Sequence, residues 1–402
     1  MHSSHKLAAK VSITPILRNN EMKKKMIRIT TAPESLLILL KNQLKFLNVY
    51  FEVIGIASPG KELDMVAVNE KIRIIPLKMY RRISIWRDII SLINMYRILK
   101  KEKPFIIHSI TPKAGFVSMI AGYFAGVPHR IHTFTGLVFP SKKGIFRFLL
   151  LNIDRIICSL ATIVIPEGEG VKNDLIKFRV TKKELKVIAN GNVNGIDLDY
   201  FNINCCLPEE NTYLKEKNGI LQDDIVLIFI GRIVVDKGIE ELVNAFVDLC
   251  FEISNIRLLI VGSYERQFDP ISRHSESLIS EHAKILHIDF QEDIRPYFSI
   301  SDILVLPSYR EGFPNVVMQA GAMNLPCIVT DINGSNEIII NNLNGLVIPT
   351  GDVLKLKHAI KQLVLDKNLR KEMSQNARQL IVQRYDQNLV WNELLKEYIS
   401  LR

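Results

Sequence analysis

The chain has 402 residues, 48% of them hydrophobic and 23% charged, which excludes a disordered or fibrous protein and suggests two domains. Five cysteines (Cys158, Cys205, Cys206, Cys250 and Cys327) are too few and too irregularly spaced for a disulfide framework and form no CxxC pair for zinc or redox work, so a reducing compartment is expected. The net charge of +10 is segregated: residues 1–200 carry 32 Lys+Arg against 15 Asp+Glu, a net +17, and the remainder nets −7, so the first half suits a polyanion such as nucleic acid, an anionic membrane or a phosphorylated ligand.

Residues 1–21 lack the compact apolar core and cleavage site of a secretory signal and read as a poorly packed extension. Short β-branched runs then alternate with longer amphipathic segments. Strands are predicted at Met26–Thr31, Phe51–Ala57, Ile72–Ile75, Phe105–Ser109, His129–Thr133, Ala161–Pro166 and Leu185–Ala189, with helices at Leu36–Leu47, Ile85–Lys100 and Gly115–Ala125. Lys78–Lys103 is basic with Trp86, Ile89, Ile90, Leu92, Ile93 and Tyr96 at helical spacing, suited to a membrane interface or to a core-packing helix with a solvated basic face. The nearest approach to a membrane span, Ile145–Pro166, contains Arg147, Asp154 and Arg155 and is too polar to cross.

The polar stretch 206–223, with Pro208, reads as a linker between domains at 22–205 and 224–385. The strand–helix pattern then restarts, with strands at Asp224–Ile230, Ile256–Gly262, Ile285–Phe290, Ile303–Pro307, Pro326–Thr330 and Gly345–Ile348 and a helix from Lys237 to Phe251. Two successive doubly wound α/β units follow. A terminal amphipathic helix within 386–402 is expected to pack on a domain.

Two motifs carry chemistry. In GRIVVDKG (231–238) a buried strand ends at Gly231, and Arg232 and Lys237 flank a loop that opens a helix, which makes an anion site at the carboxyl end of a sheet. In PSYREGFPN (307–315) a second strand delivers a loop holding Glu311. Pro314 suits the first helical position, and the amides of Phe313, Asn315 and Val316 point where a phosphate would sit. A carboxylate beside an anion site is unfavourable unless it binds hydroxyls, which is the expectation for Glu311.

Gly-Arg with Lys-Gly, then Pro-Ser-x-x-Glu-Gly-Phe-Pro-Asn and a later Gly-x-x-Glu, resembles the nucleotide-binding domain of the retaining glycosyltransferases of family four, which have the GT-B fold. HSITPKAG (108–115), RIHTFTG (130–136) and NGNVNGIDLDYF (190–201) resemble, more weakly, first-domain segments of capsule, O-antigen and glycan enzymes. The resemblance implies that Arg232 and Lys237 hold the donor diphosphate in place of a metal, that Glu311 orients the sugar, and that the terminal helix returns to the first domain. Gln319 stands where the family has a second glutamate on the ribose; it hydrogen-bonds without charge.

First-domain candidates for the cleft or acceptor are His108, Lys113, His132 and Thr135, the last in place of the histidine many relatives have before the glycine matching Gly136. Glu167 and Glu169 are expected to line the cleft or to cap the next helix. The expected activity is sugar transfer from a UDP-sugar to a lipid-diphosphate-linked saccharide at the cytoplasmic face of an anionic membrane, with retention, no cofactor and no metal. A UDP-sugar epimerase of the same fold and a non-catalytic sugar-nucleotide binder are the alternatives. Nucleic acid is not expected as a partner, because no recognition-helix, zinc or aromatic-basic motif accompanies the positive charge.

Overall fold

A computed structural model describes residues 23–80, 84–267 and 269–402. The extension at 1–21 and the Arg81–Ile83 portion of the basic stretch lie outside the described residues. The chain forms two six-stranded sheets whose paired strands are all parallel. The first holds β1 (Lys25–Ile29), β2 (Glu52–Ala57), β3 (Arg73–Pro76), β4 (Ile106–Ser109), β5 (His129–Phe134) and β6 (Ile163–Pro166), in the order β3-β2-β1-β4-β5-β6. The second holds β7 (Ile225–Ile230), β8 (Ile256–Val261), β9 (Ile285–Ile288), β10 (Ile303–Leu306), β11 (Cys327–Thr330) and β12 (Gly345–Ile348), in the order β12-β11-β10-β7-β8-β9.

Both sheets therefore share one topology and place a switch point beside their first strand, where ligands of doubly wound folds bind. Parallel strands covered on both faces need apolar side chains in succession. In the first domain Ile27, Ile29, Ile54 and Ile56 face one helical layer, and Met26, Val53, Ala57 and Ile106 face the other. In the second, Val226 to Phe229 are completely buried with Phe246, Leu304 and Ile328.

Several local expectations are corrected. Leu36–Leu47 breaks into helices Pro33–Leu39 and Gln43–Leu47 because Asn42 takes a left-handed φ of 66°. Leu185–Ala189 buries Leu185 and Ile188 but joins neither sheet. Pro208–Lys217, inside the expected linker, is a helix, with Pro208 in its first turn and the Leu207 amide donating to Glu210 at 2.8 Å. No helix among the described residues is long and apolar enough to cross a membrane.

The terminal helix Gln387–Ile399 packs on the first domain, where Leu394, Leu395 and Tyr398 join its core. Tyr398 meets Arg28 of β1 and approaches His108 Nδ1 at 2.5 Å. The Arg28 guanidinium donates to the same Nδ1 at 2.9 Å, so Nδ1 is the acceptor and Nε2–H donates to Thr133 at 2.7 Å. Burial, with Arg28 and His132 nearby, holds the His108 pKa well below its ordinary value, so the ring is a neutral strut.

Candidate active site

The two sequence motifs meet at the carboxyl ends of β7 and β10. After β7 the chain makes a short 3-10 turn, Val235–Lys237, before the helix Ile239–Cys250, so the helix begins later than expected. Gly238 separates the two with φ 67°, and a Cβ there would lie 2.1 Å from the Pro307 carbonyl oxygen, so only glycine lets the two loops touch. The Tyr309 amide donates to the Asp236 carbonyl at 2.9 Å, and Arg310 pairs with the Asp236 carboxylate at 2.8 Å. Lys237 and Glu311 are thereby brought to 2.5 Å, and Ser308 Oγ donates to the same Glu311 oxygen at 2.7 Å. Arg232, which follows Gly231 at the end of the strand, is half-exposed and pairs with Glu265 at 2.8 Å.

Pro314 occupies the cap position and the helix starts at Asn315, one residue later than expected; it runs to Ala322. Its amino end still faces the sheet's carboxyl edge, as an anion site requires. Val316 and Gln319 are half-buried on this helix. Phe313 is buried against Tyr385, with ring centroids 5.5 Å apart.

The first domain closes over these loops. A Cβ on Gly136 would lie 3.3 Å from Gly312 Cα, and one on Gly312 would lie 2.2 Å from the Thr135 carbonyl oxygen. Thr135 thus contributes its backbone at the contact. Asn192 Nδ2 donates to Asn315 Oδ1 at 2.9 Å. Glu337, the carboxylate of the Gly-x-x-Glu segment, accepts from the amides of Glu169 at 2.6 Å and Gly170 at 3.0 Å, capping the first-domain helix Glu169–Lys177. That cap comes from the other domain, not from Glu167 or Glu169.

The expectation that His108 and His132 lie in the cleft is not met. Both are 1% exposed. His108 belongs to the Arg28–Tyr398 cluster, and His132 Nδ1 is held by Ser109 Oγ at 2.8 Å, with burial pushing its pKa down to about 3. Lys113 pairs with Asp88 at 2.5 Å beside the loops that follow β1 and β4.

Glu167, given only a loose place by its position after β6, is the titratable group at the centre of the interdomain contact. Its Oε2 would lie 3.1 Å from a Gly312 Cβ, and burial, with Glu337 and Glu311 nearby, pushes its carboxyl up to about 8. The carboxyl is therefore mostly protonated at neutral pH. An unfolded chain loses this proton near the ordinary value of 4.5, so stability falls as pH rises from there to about 8, by at most about 1.4 kcal/mol per pH unit. Glu167→Gln is expected to flatten the decline of the thermal unfolding midpoint between about pH 6 and about pH 8; an unchanged decline would contradict the assignment.

Two Rossmann-type domains facing across a cleft, with a cation and a carboxylate paired on adjoining loops of the second, define a GT-B glycosyltransferase. The family model for glycosyl transferases group 1 matches residues 210–380, and the model for Glycosyltransferase Family 4 matches residues 36–199. The capsular polysaccharide biosynthesis glycosyltransferase CapM of Staphylococcus aureus is 31% identical over 93% of this chain and 96% of its own. The UDP-Gal:alpha-D-GlcNAc-diphosphoundecaprenol alpha-1,3-galactosyltransferase of Escherichia coli is 31% identical over 75% of this chain and 77% of its own. HepE of Anabaena in complex with UDP superimposes with a TM-score of 0.78 at 17% identity, covering 94% of this chain and all of that one. This chain belongs to the family-four glycosyltransferases.

Proposed function

We propose that this glycosyltransferase moves a hexose or N-acetylhexosamine from a UDP-sugar to a saccharide carried on a lipid diphosphate, with retention, in the assembly of a cell-surface polysaccharide such as capsule or O-antigen. The observation that carries the proposal is the Lys237–Glu311 pair at 2.5 Å. One contact supplies a cation for the leaving diphosphate and a carboxylate for the hydroxyls of the departing sugar. As the bond from the sugar C1 to the diphosphate oxygen breaks, negative charge grows on the diphosphate, and Lys237 with Arg232 stabilises it. The acceptor hydroxyl bonds to C1 on the face being vacated, and its proton passes to the diphosphate oxygen, so no protein nucleophile or metal is needed. The amides of Phe313, Asn315 and Val316 hold the distal phosphate, and Gln319 hydrogen-bonds the ribose.

The acceptor assignment draws on the Escherichia coli relative, which by name acts on a diphosphoundecaprenol substrate. It also draws on the first domain's surface, where Trp86, Ile90, Ile145, Phe146 and Phe148 are exposed among Arg87, Lys142, Lys143 and Arg147. Apolar side chains interleaved with cations suit the cytoplasmic face of an anionic membrane. The test is a thermal-shift screen with UDP-glucose, UDP-galactose, UDP-GlcNAc and UDP-GalNAc, followed by incubation of the stabilising donor with and without prenyl-diphosphate-linked saccharides. Sugar transfer to the lipid-linked acceptor is expected. A new UDP-sugar formed without acceptor would establish an epimerase instead, and binding without turnover a non-catalytic protein.

A further inference from the structure

Alternate residues of a strand share one face of a sheet. Arg28 of β1 stands in register with His108 of β4, which pairs with Ile131 of β5. Thr133, two residues after Ile131, pairs with Ile165 of β6, and Glu167 follows two residues later. A diagonal of four polar residues thus crosses an otherwise apolar face of the first sheet. The four line a cavity of about 20 Å³, completed by Ile188 and Asn192 of the segment that leaves β6 and by Val390 and Leu394 of the terminal helix. That volume has room for one small ion or one water molecule.

Arg28 brings a charge to this space without a counter-charge. It is 1% exposed, and among the described residues no carboxylate pairs with it. Its Nη1 is committed to His108 and Tyr398, both neutral, because burial pushes the pKa of the ring down and that of the phenol up. Its Nε and Nη2 make no hydrogen bond to the described residues. Burial pulls the guanidinium pKa down as well, yet arginine stays protonated in proteins. A buried charge left without a partner is strongly unfavourable.

We infer that the cavity binds one monatomic monovalent anion, chloride under ordinary conditions, against the Arg28 guanidinium. The polar side chains around it have protons to give and few lone pairs to offer. Thr133 Oγ1 already accepts from His108 Nε2, which leaves its own proton to donate. Asn192 is committed elsewhere: its Oδ1 accepts from the amides of Asn194 at 3.0 Å and Gly195 at 2.8 Å, and its Nδ2 donates to Asn315. Glu167, mostly protonated at neutral pH, adds a hydroxyl rather than a full negative charge. A water molecule has two protons of its own to place, whereas a halide only accepts. Phosphate and other polyatomic anions exceed the space. Bound there, the ion would offset the charge of Arg28 under the terminal helix that Tyr398 fastens to the sheet.

The experiment uses bromide, which scatters anomalously, in place of chloride. Crystals of the full chain purified and grown in sodium bromide are expected to show one anomalous peak in the cavity beside Arg28. In solution, the thermal unfolding midpoint at constant ionic strength is expected to rise when chloride replaces gluconate, by about 3–6 °C once chloride exceeds its dissociation constant tenfold. Arg28→Met is expected to abolish that rise. Thr133→Val, which keeps the charge and removes one donor, is expected to weaken chloride binding about tenfold, and it serves as the test if Arg28→Met does not fold. A water molecule without anomalous signal at the site, or a midpoint equal in chloride and gluconate, would overturn the inference, as would the same halide dependence in wild type and Thr133→Val. Neither readout involves a sugar nucleotide or an acceptor, so failure here leaves the proposed transfer reaction standing.

Discussion

Lys237→Ala is expected to lower turnover about 10²- to 10³-fold with the fold intact, the range seen when one fixed donor to developing negative charge is removed. Lys237 sits on a three-residue turn held between β7 and the Gly238 contact with Pro307, so its ammonium is placed before any ligand arrives. Its side chain is 18% exposed and pairs with Glu311, itself 11% exposed. A preorganised, partly desolvated cation stabilises charge more strongly than a solvated one. Arg232 is 55% exposed and held by Glu265, so Arg232→Ala is expected to cost less than Lys237→Ala while still lowering turnover. Glu311→Ala removes the carboxylate proposed to hold the sugar and takes from Lys237 its ion-pair partner, and it too is expected to abolish most activity. Steady-state kinetics with a thermal unfolding control reads all three, and wild-type turnover in any of them would contradict the site.

Gly312→Ala is expected to separate catalysis from donor binding. The new methyl group would stand 2.2 Å from the Thr135 carbonyl oxygen and 3.1 Å from the Glu167 carboxyl, both in the first domain. The second domain need not deform, because the neighbours of that methyl group lie across the cleft; the domains must part instead. A displacement of an ångström at the reacting atoms costs about 10²-fold in rate. UDP affinity measured by calorimetry should therefore stay near wild type while turnover falls by about that factor. Unchanged turnover would show that the contact is not part of the working enzyme.

The fold was legible because its determinants are local and repeated. IVLIFI at 225–230 is a buried parallel strand whatever surrounds it, and the alternation of such runs with amphipathic helices leaves few topologies. The exceptions have local physical reasons. Asn42 breaks a helix that hydrophobic spacing continues. A proline in the first turn and Glu210 as cap make a helix of the polar 208–217 stretch, which composition alone assigns to a linker. Leu185 and Ile188 are apolar enough for a strand, yet they lie in the segment that leaves β6 for the second domain and find no ladder partner.

The candidate site divides in the same way. Lys237 and Glu311 stand out because each lies in a compact motif, although 74 residues separate them. Contacts between the domains are not written in any local pattern. Glu337 caps the Glu169–Lys177 helix, and Asn192 reaches Asn315, only because the two sheets dock in one orientation. The Gly-x-x-Glu segment was a visible signal for Glu337; for Glu167 there was only its place after a strand. The two histidines show the converse. His108 and His132 are chemically suggestive in sequence, but the terminal helix and the Pro112–Ala125 helix cover them and turn both into interior supports.

The most direct measurement is a crystal structure with UDP or a hydrolysis-resistant UDP-sugar. The diphosphate is expected against Arg232 and Lys237, with the amides of Phe313, Asn315 and Val316 on the distal phosphate and Glu311 released from Lys237 to the hydroxyls of the sugar. A nucleotide bound elsewhere, with the Lys237–Glu311 pair intact and no phosphate near either cation, would contradict the account.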